Sequence, residues 1–102
     1  MTDSSVLHLD DKTFDETLAT TEGVLMVDFW AEWCGPCRAV SPVLEDLART
    51  SGGKVTLAKV NVDDHPALAS RFGVRSIPTI LFVKDGKIRD QAIGALPKAA
   101  LQ

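Results

Sequence analysis

The two cysteines of the sequence, Cys34 and Cys37, lie in the segment WCGPC at residues 33–37. Two residues at this spacing on a helix are neighbours, with Cβ atoms ~5–6 Å apart, so a small adjustment converts a dithiol into a disulfide. The segment follows an apolar run at 24–30 and opens an amphipathic stretch, which predicts a strand-to-helix junction. We therefore expect reversible thiol–disulfide chemistry that does not require the chain to refold.

The two sulfurs are expected to have different roles. Cys34 would lie at the N-terminus of the helix, where unpaired backbone N–H groups and the positive end of the macrodipole favour a thiolate. A lowered pKa makes the Cys34 thiol the attacking group. Cys37, one turn further in, should be more buried and keep its proton until a mixed disulfide forms on Cys34. It then resolves that intermediate by attacking the Cys34 sulfur.

Two other interpretations of the cysteine pair are weaker. A structural zinc ion needs four ligands, and beyond the cysteines the sequence offers only His8 and His65, neither in a Cys/His motif. Inert buried cysteines are common in general, but Gly-Pro between two cysteines at a strand-to-helix junction is typical of a redox motif. We therefore expect no metal site.

Length and composition are those of an ordinary globular domain. The chain has 102 residues, of which 45% are hydrophobic and 25% charged, so we expect a single domain over residues 1–102. A net charge of -3 and scattered basic residues disfavour nucleic-acid binding. The sequence shows neither a signal-peptide pattern nor the ~20 consecutive apolar residues that cross a bilayer, so we expect a cytoplasmic protein without a membrane partner.

Strand and helix patterns alternate along the chain. The predicted strands are residues 6–9, 24–30, 55–62, 79–83 and 87–93, and the predicted helices begin after Asp10 or Asp11, near Pro36 and near Pro66. A helix between the first strands implies parallel pairing by crossover, whereas the Asp85-Gly86 turn favours an antiparallel hairpin. The sheet should therefore be mixed and lie between two helical layers.

The helix that follows the cysteines has the clearest pattern. Over residues 36–50 apolar side chains recur at helical spacing, which leaves Glu45, Asp46 and Arg49 for solvent. Pro42 lies inside this pattern and removes one backbone donor, so we predict a kinked helix rather than two helices.

Four segments are specific in their order and spacing: VDFWAEWCGPC at 27–37, KVNVD at 59–63, SIPT at 76–79 and Gly94-Ala95. Together they resemble the thioredoxin family, of the bacterial or organellar kind, over residues 6–96. The resemblance implies the thioredoxin fold, an α/β architecture of three layers with a five-stranded mixed sheet in the order 1-3-2-4-5 and four helices. The last helix, opening near Pro97, would be short because the sequence ends at Gln102.

The resemblance also implies an activity and its partners. Members of the family reduce disulfides in target proteins. They are reduced in turn by a flavin-dependent thioredoxin reductase using NADPH, or by a ferredoxin-linked enzyme in plastids. The sequence has no nucleotide-binding motif, so its electrons should arrive by dithiol exchange. We expect a protein-disulfide reductase whose only redox group is the Cys34–Cys37 disulfide, with a thioredoxin reductase and disulfide-containing proteins as partners.

One carboxylate stands out because it interrupts an apolar strand. Asp28 lies between Val27 and Phe29, where an ionised side chain is costly, so we expect its pKa to be raised. A surface position at a strand end is the alternative for Asp28, and an exposed position is the alternative for Lys59. The resemblance implies that Asp28 lies beneath the dithiol as proton acceptor for Cys37, with Lys59 nearby.

The docking surface is also implied by the resemblance. Family members hold the proline matched by Pro78 in a cis peptide bond against the dithiol, which would leave the Ile77 backbone free to bind an extended substrate segment. The family's docking positions match an apolar patch made of Trp33, Gly35, Pro36, Ile77, Pro78, Gly94 and Ala95. Such a patch favours many partners. We expect Trp33 to be partly exposed and Trp30 to be a core aromatic.

Three features depart from the usual pattern of the family. Arg38 stands where many members have Lys and keeps a positive charge close to the dithiol, and Ser76 stands where Gly or Thr is common. The ending at Gln102 would leave one face of the sheet partly open. We expect a monomer of reduced stability, or association with another molecule through that open face.

Two other functions fit the same fold. A non-enzymatic interaction domain would not need an intact Cys-Gly-Pro-Cys pair, which argues against binding as the sole role. A disulfide oxidase or isomerase usually carries His at the second position between its cysteines, where this sequence has Pro36. The Gly-Pro pair therefore favours the reductant.

Overall fold

The computed structural model of the protein describes residues 6–94. Its elements follow one another as β1 (Leu7–His8), α1 (Phe14–Thr20), β2 (Val24–Trp30), α2 (Gly35–Thr50), β3 (Val55–Asn61), α3 (Pro66–Arg71), β4 (Thr79–Lys84) and β5 (Lys87–Ile93). This is the order of strands and helices that the sequence predicts.

The five strands form one mixed sheet in the order β1-β3-β2-β4-β5. Strand β2 is central, parallel to β3 on one edge and antiparallel to β4 on the other. Its residues 25–29 are all buried, because the strand is paired on both edges and covered on both faces. The predicted sheet and its strand order are confirmed.

Side chains that alternate along β2 pack into different layers. Val27 and Phe29 join a core cluster with Phe14 of α1 and Leu68 of α3. Met26 points the other way and joins a cluster with residues of α2, Val40 and Leu44. Because successive side chains of a strand point to opposite faces, Asp28 shares the α2 face with Met26. The three-layer architecture is therefore observed, with α1 and α3 on one face and α2 on the other.

The start of α1 is held by a reciprocal cap. Asp10 Oδ1 accepts the backbone N–H groups of Lys12 and Thr13 at 2.8 Å each, and Thr13 Oγ1 accepts the N–H of Asp10 at 3.1 Å. These backbone donors lower the pKa of the Asp10 carboxyl, since they stabilise its charged form. Asp10 therefore holds the turn that precedes α1, whereas the N-cap residue of the helix itself is Thr13, so the predicted cap lies three residues too early. Strand β1 is one residue shorter at each end than the predicted 6–9.

Helix α2 continues across Pro42, so the prediction of one helix rather than two is confirmed. Pro42 removes the N–H that would bind the carbonyl of Arg38, and both residues lie on the exposed side of the helix, where water can replace that bond. The junction between β2 and α2 is therefore connected to a single rigid helix.

Three helices lie within residues 6–94, against four expected for the whole chain. The fourth expected helix, opening near Pro97, lies outside the described residues. The hairpin between β4 and β5 turns at Asp85 and Gly86, whose φ angles of 56° and 76° suit a two-residue turn of this kind. Within residues 6–94 no helix combines the length and hydropathy needed to span a bilayer.

Candidate active site

Cys34 caps the N-terminus of α2. Its backbone is extended (φ −90°, ψ 105°), Pro36 follows in the first turn, and its Sγ accepts the backbone N–H of Cys37 at 3.2 Å. A proline suits this turn because the N–H that it lacks would have had no helical partner. The backbone N–H of Cys37, in the first turn of the helix, therefore points at the sulfur of Cys34.

Cys34 and Cys37 form a disulfide, with their Cα atoms 5.3 Å apart. This separation is within the ordinary range for disulfides, so the helix itself sets the pair at bonding distance. The residues are 4% and 2% exposed respectively, so Cys37 is the more buried, by a small margin. Both pack in a small cluster with Ala31, supported by Trp30 and Ile77.

The loop before β4 lies against the disulfide. The Ile77–Pro78 peptide bond is cis, and the carbonyl oxygen of Ile77 lies 3.7 Å from Cys34 Sγ. The N–H of Gly94, at the end of β5, donates to the carbonyl of Pro78 at 2.8 Å. The fold thus brings the Pro78 loop, Gly94 and the two sulfurs to the same end of the strands, where β2 and β5 finish and β4 begins.

Trp33 is the most exposed large apolar side chain among the described residues, at 68% exposure. Its indole Nε1–H donates to Asp63 Oδ2 at 2.9 Å, which fixes the ring beside the dithiol. Gly35 and Pro36 are exposed as well, whereas Ala95 lies outside the described residues. The sequence did not single out Asp63 as a support for Trp33, since the two residues are thirty positions apart.

Asp28 is fully buried on β2, on the face covered by α2. Neither of its carboxylate oxygens has a hydrogen-bond partner among residues 6–94. Burial raises the pKa of Asp28 from 3.8 to about 7, against the opposing effect of the Lys59 ammonium and with a smaller raising effect of the Glu45 carboxylate. The buried position expected for Asp28 is confirmed, and its burial is the cause of the raised pKa.

A cavity of about 310 Å³ connects this carboxylate to the dithiol. Its lining residues are Asp28, Trp30, Cys37, Arg38, Ser41, Pro42, Glu45 and Lys59. Space of this size holds several water molecules, and the polar groups in its otherwise mostly apolar lining, those of Ser41, Glu45 and Lys59, can bind them. Asp28 and Cys37 therefore lie along the same open cavity.

Lys59 is largely buried, with a side chain 14% exposed. Its ammonium donates to the Ser41 hydroxyl and lies 3.4 Å from Glu45 Oε2, while Ser41 Oγ donates to the same Glu45 oxygen at 2.9 Å. The helical pattern of the sequence predicts that Glu45 faces solvent, and it gives Ser41 no separate role. Their spacing from Cys37, four and eight residues, was the available signal, because residues four apart share one helix face.

Among residues 6–94 no group of three or more His, Cys, Asp or Glu side chains is placed to hold a metal ion. The reactive groups of the site are instead a helix-capping sulfur, a second sulfur one turn away and a buried carboxyl. These groups can exchange electron pairs and protons with another disulfide.

Comparison with known proteins agrees with this chemistry. The family model described as Thioredoxin matches residues 5–102. The chain is 47% identical over 98 residues to a thioredoxin of Haemophilus influenzae, covering 96% of this chain and 92% of that protein. It is 50% identical over 94 residues to a thioredoxin of Rhodospirillum rubrum, covering 92% and 90% of the two chains.

Chloroplast proteins are similar as well. The chain is 46% identical over 98 residues to an M-type thioredoxin of Pisum sativum, covering 96% of this chain and 57% of that longer protein. The match includes both cysteines and the strand and helix that hold them. The chain therefore belongs to the thioredoxin family and is a thiol–disulfide oxidoreductase that reduces protein disulfides through Cys34 and Cys37.

Proposed function

We propose that Cys34 is the nucleophile of this reductase, Cys37 its resolving thiol and Asp28 the proton acceptor for Cys37. The observation that carries this assignment is the backbone N–H of Cys37, which donates to Cys34 Sγ at the first turn of α2. A hydrogen-bond donor and the positive end of a helix both stabilise a thiolate at that sulfur. Cys37 has no such position, since it lies inside the helix.

In the first step the Cys34 thiolate attacks one sulfur of the target disulfide. A bond forms between Cys34 and that sulfur, the target S–S bond breaks, and the second target sulfur leaves as a thiolate that takes a proton from water. The product is a mixed disulfide in which Cys34 has given up its anionic charge. The Ile77 backbone, beside Cys34 Sγ, is placed to hold an extended target segment during this step.

In the second step Cys37 releases the target. The Cys37 thiol passes its proton to the Asp28 carboxylate through the shared cavity, and the resulting thiolate attacks Cys34 Sγ. The bond between Cys34 and the target breaks, and the target leaves as a dithiol after taking a second proton. Over both steps the target gains two electrons and two protons, and the Cys34–Cys37 disulfide remains.

A second protein must then restore the dithiol. We propose a flavin-dependent thioredoxin reductase using NADPH, because the family relies on external dithiol exchange. We also propose that the protein works in the cytoplasm, since a dithiol reductant is sustained by a reducing compartment. Disulfide-containing proteins would dock on the patch around Trp33, Gly35, Pro36, Ile77, Pro78, Gly94 and Ala95.

Insulin-disulfide reduction tests the assignment of the two sulfurs. We expect the full chain to reduce insulin with NADPH and a thioredoxin reductase, Cys34→Ser to be inactive, and Cys37→Ser to accumulate a mixed disulfide on Cys34 visible by mass spectrometry. Alkylation of Cys34 should remain fast at pH 6, where an ordinary cysteine is protonated. Trapping on Cys37 instead of Cys34, or a Cys34 no more acidic than a free cysteine, would contradict the mechanism.

A further inference from the structure

The buried carboxyl of Asp28 has a cation beside it that does not bind it. Lys59 is the register partner of Asp28 on β3, yet no described residue donates a hydrogen bond to either Asp28 oxygen. The Lys59 ammonium instead contacts two side chains of α2, the hydroxyl of Ser41 and the carboxylate of Glu45. The cation next to the acceptor is therefore already occupied.

We propose that Ser41 and Glu45 are positioning residues that hold the Lys59 ammonium on α2 and so keep the Asp28 carboxylate unpaired and able to accept the Cys37 proton. This proposal rests on the role of Asp28 proposed above. We call the two residues the Ser41–Glu45 clamp. Neither residue reacts; each acts through Lys59.

The clamp is built on the same helix face as the resolving cysteine. Cys37, Ser41 and Glu45 are spaced by four residues on α2, so their side chains follow one another along that face. Ser41 Oγ accepts from Lys59 and donates to Glu45 at 2.9 Å, which joins the three groups in one hydrogen-bonded chain. All of them line the cavity that Asp28 and Cys37 share.

The charged and titratable groups around Asp28 come from two elements within the described residues. Helix α2 contributes Cys37, Arg38 and Glu45 to the shared cavity, and β3 contributes Lys59. On the other edge of β2, strand β4 places the aliphatic Ile80 opposite Asp28. Of the two cations at the cavity, Arg38 and Lys59, it is Lys59 whose charge lowers the pKa of Asp28, so its position decides how strongly the buried carboxylate is stabilised.

An ion pair between Lys59 and Asp28 would oppose the reaction. A cation within ~4–6 Å of a carboxylate lowers its pKa by roughly 1–3 units, because it favours the charged form. A carboxylate held in that way is a poor base for a thiol proton, since transfer is most effective when the acceptor's pKa lies near the working pH. By engaging Lys59, the clamp keeps Asp28 a useful base near neutral pH.

The test measures the pKa of Asp28 by NMR of its carboxyl carbon in the oxidised protein. The double variant S41A/E45Q is compared in the unchanged chain and in a K59M background. In the chain that keeps Lys59, we expect S41A/E45Q to lower the pKa of Asp28 by roughly one unit. In the K59M background we expect the same double variant to lower it by a smaller amount, with a difference of at least roughly half a unit between the two falls. In the K59M background the double variant can change the pKa of Asp28 only through the lost Glu45 charge, so this comparison measures that direct effect alone. Equal falls in both backgrounds would show that Lys59 plays no part and would overturn the proposal.

A conservative variant separates the hydroxyl of Ser41 from its packing. In the E45Q background, Ser41→Thr keeps a hydroxyl for Lys59, whereas Ser41→Ala does not. We expect the pKa of Asp28 to fall further with Ser41→Ala than with Ser41→Thr. Equal falls would show that the hydroxyl does not hold Lys59 and would overturn the role of Ser41.

The rate of target release supplies a second readout. In S41A/E45Q we expect resolution of the Cys34 mixed disulfide at pH 8, where Asp28 is mostly ionised in both chains, to slow by about threefold, because a weaker base accepts the Cys37 proton less readily. An unchanged rate, despite a lower pKa of Asp28, would overturn the functional part. Asp28→Asn distinguishes the two proposals: if it leaves resolution unchanged, the proposed role of Asp28 is wrong, whereas the pKa measurements still decide whether the clamp holds Lys59.

Discussion

Replacing Asp28 by Asn should make the folded protein more stable, and increasingly so as the pH rises. The carboxyl is fully buried without a hydrogen-bond partner among residues 6–94, and burial raises its pKa from 3.8 to about 7. At a pH between 3.8 and about 7 the folded chain therefore keeps a proton on Asp28 that the unfolded chain has released. Stability contributed by the protonated carboxyl is complete below pH 3.8 and is lost as the pH rises through about 7.

The size of the effect follows from the same pKa rise. Each pKa unit corresponds to about 1.4 kcal/mol, so a rise from 3.8 to about 7 sets an upper limit of about 4 kcal/mol at pH 8. Asparagine is neutral at every pH and similar in shape, so it avoids this cost. We expect Asp28→Asn to change the free energy of unfolding little at pH 4 and to raise it by between ~1 and ~4 kcal/mol at pH 8.

Urea unfolding of the oxidised protein at several pH values between 4 and 8 measures this difference. Asp64→Asn is a matched control, because it removes an exposed carboxyl by the same chemical change. The reasoning is refuted if the stability difference between Asp28→Asn and the unchanged chain is the same at every pH. The same variant should reduce insulin more slowly, since it has no carboxylate to receive the Cys37 proton.

Two further predictions concern the docking surface and the turn at Gly23, where the backbone has a positive φ angle. Trp33→Ala should raise the KM for insulin roughly three- to tenfold with little change in the free energy of unfolding, since an exposed aromatic anchor is lost. Asp63→Asn weakens the 2.9 Å hydrogen bond to the Trp33 indole and should raise the KM by a smaller factor. Equal KM values in both variants and the unchanged chain would contradict the docking role of Trp33. Gly23→Ala should lower the free energy of unfolding by more than ~1 kcal/mol, because φ is 74° and the new Cβ would lie 2.5 Å from the Lys54 carbonyl oxygen. Gly52→Ala, with a similar φ but open space around it, should cost less, and a larger loss there would contradict the steric argument.

The sequence predicts those parts of the fold that depend on local pattern. Strand β2 has the predicted bounds, because a run of seven residues of which six are apolar is stable only when both faces are covered. Asp28 stands out for the same reason, as a charge inside that run. The position of Cys34 at the start of α2 also follows locally, from a strand that ends and an amphipathic pattern that begins.

The contacts between layers could not be predicted in this way. Helical periodicity places Glu45 beside the apolar stripe, on the boundary with solvent, and the pattern alone favours water as its neighbour. In the structure the Lys59 ammonium reaches across from β3 and binds it. The bond between Trp33 and Asp63 likewise depends on how β3 ends next to α2. Such pairs are set by the register of the sheet, which a single sequence does not state.

The placement of Asp28 on the central strand ties catalysis to the least dynamic part of the molecule. Strand β2 is bonded along both edges, so its amide hydrogens should exchange with solvent only when the whole chain opens. Local opening of loops or helix ends should then leave the proton acceptor buried, and its environment should be lost only when the protein unfolds as a whole.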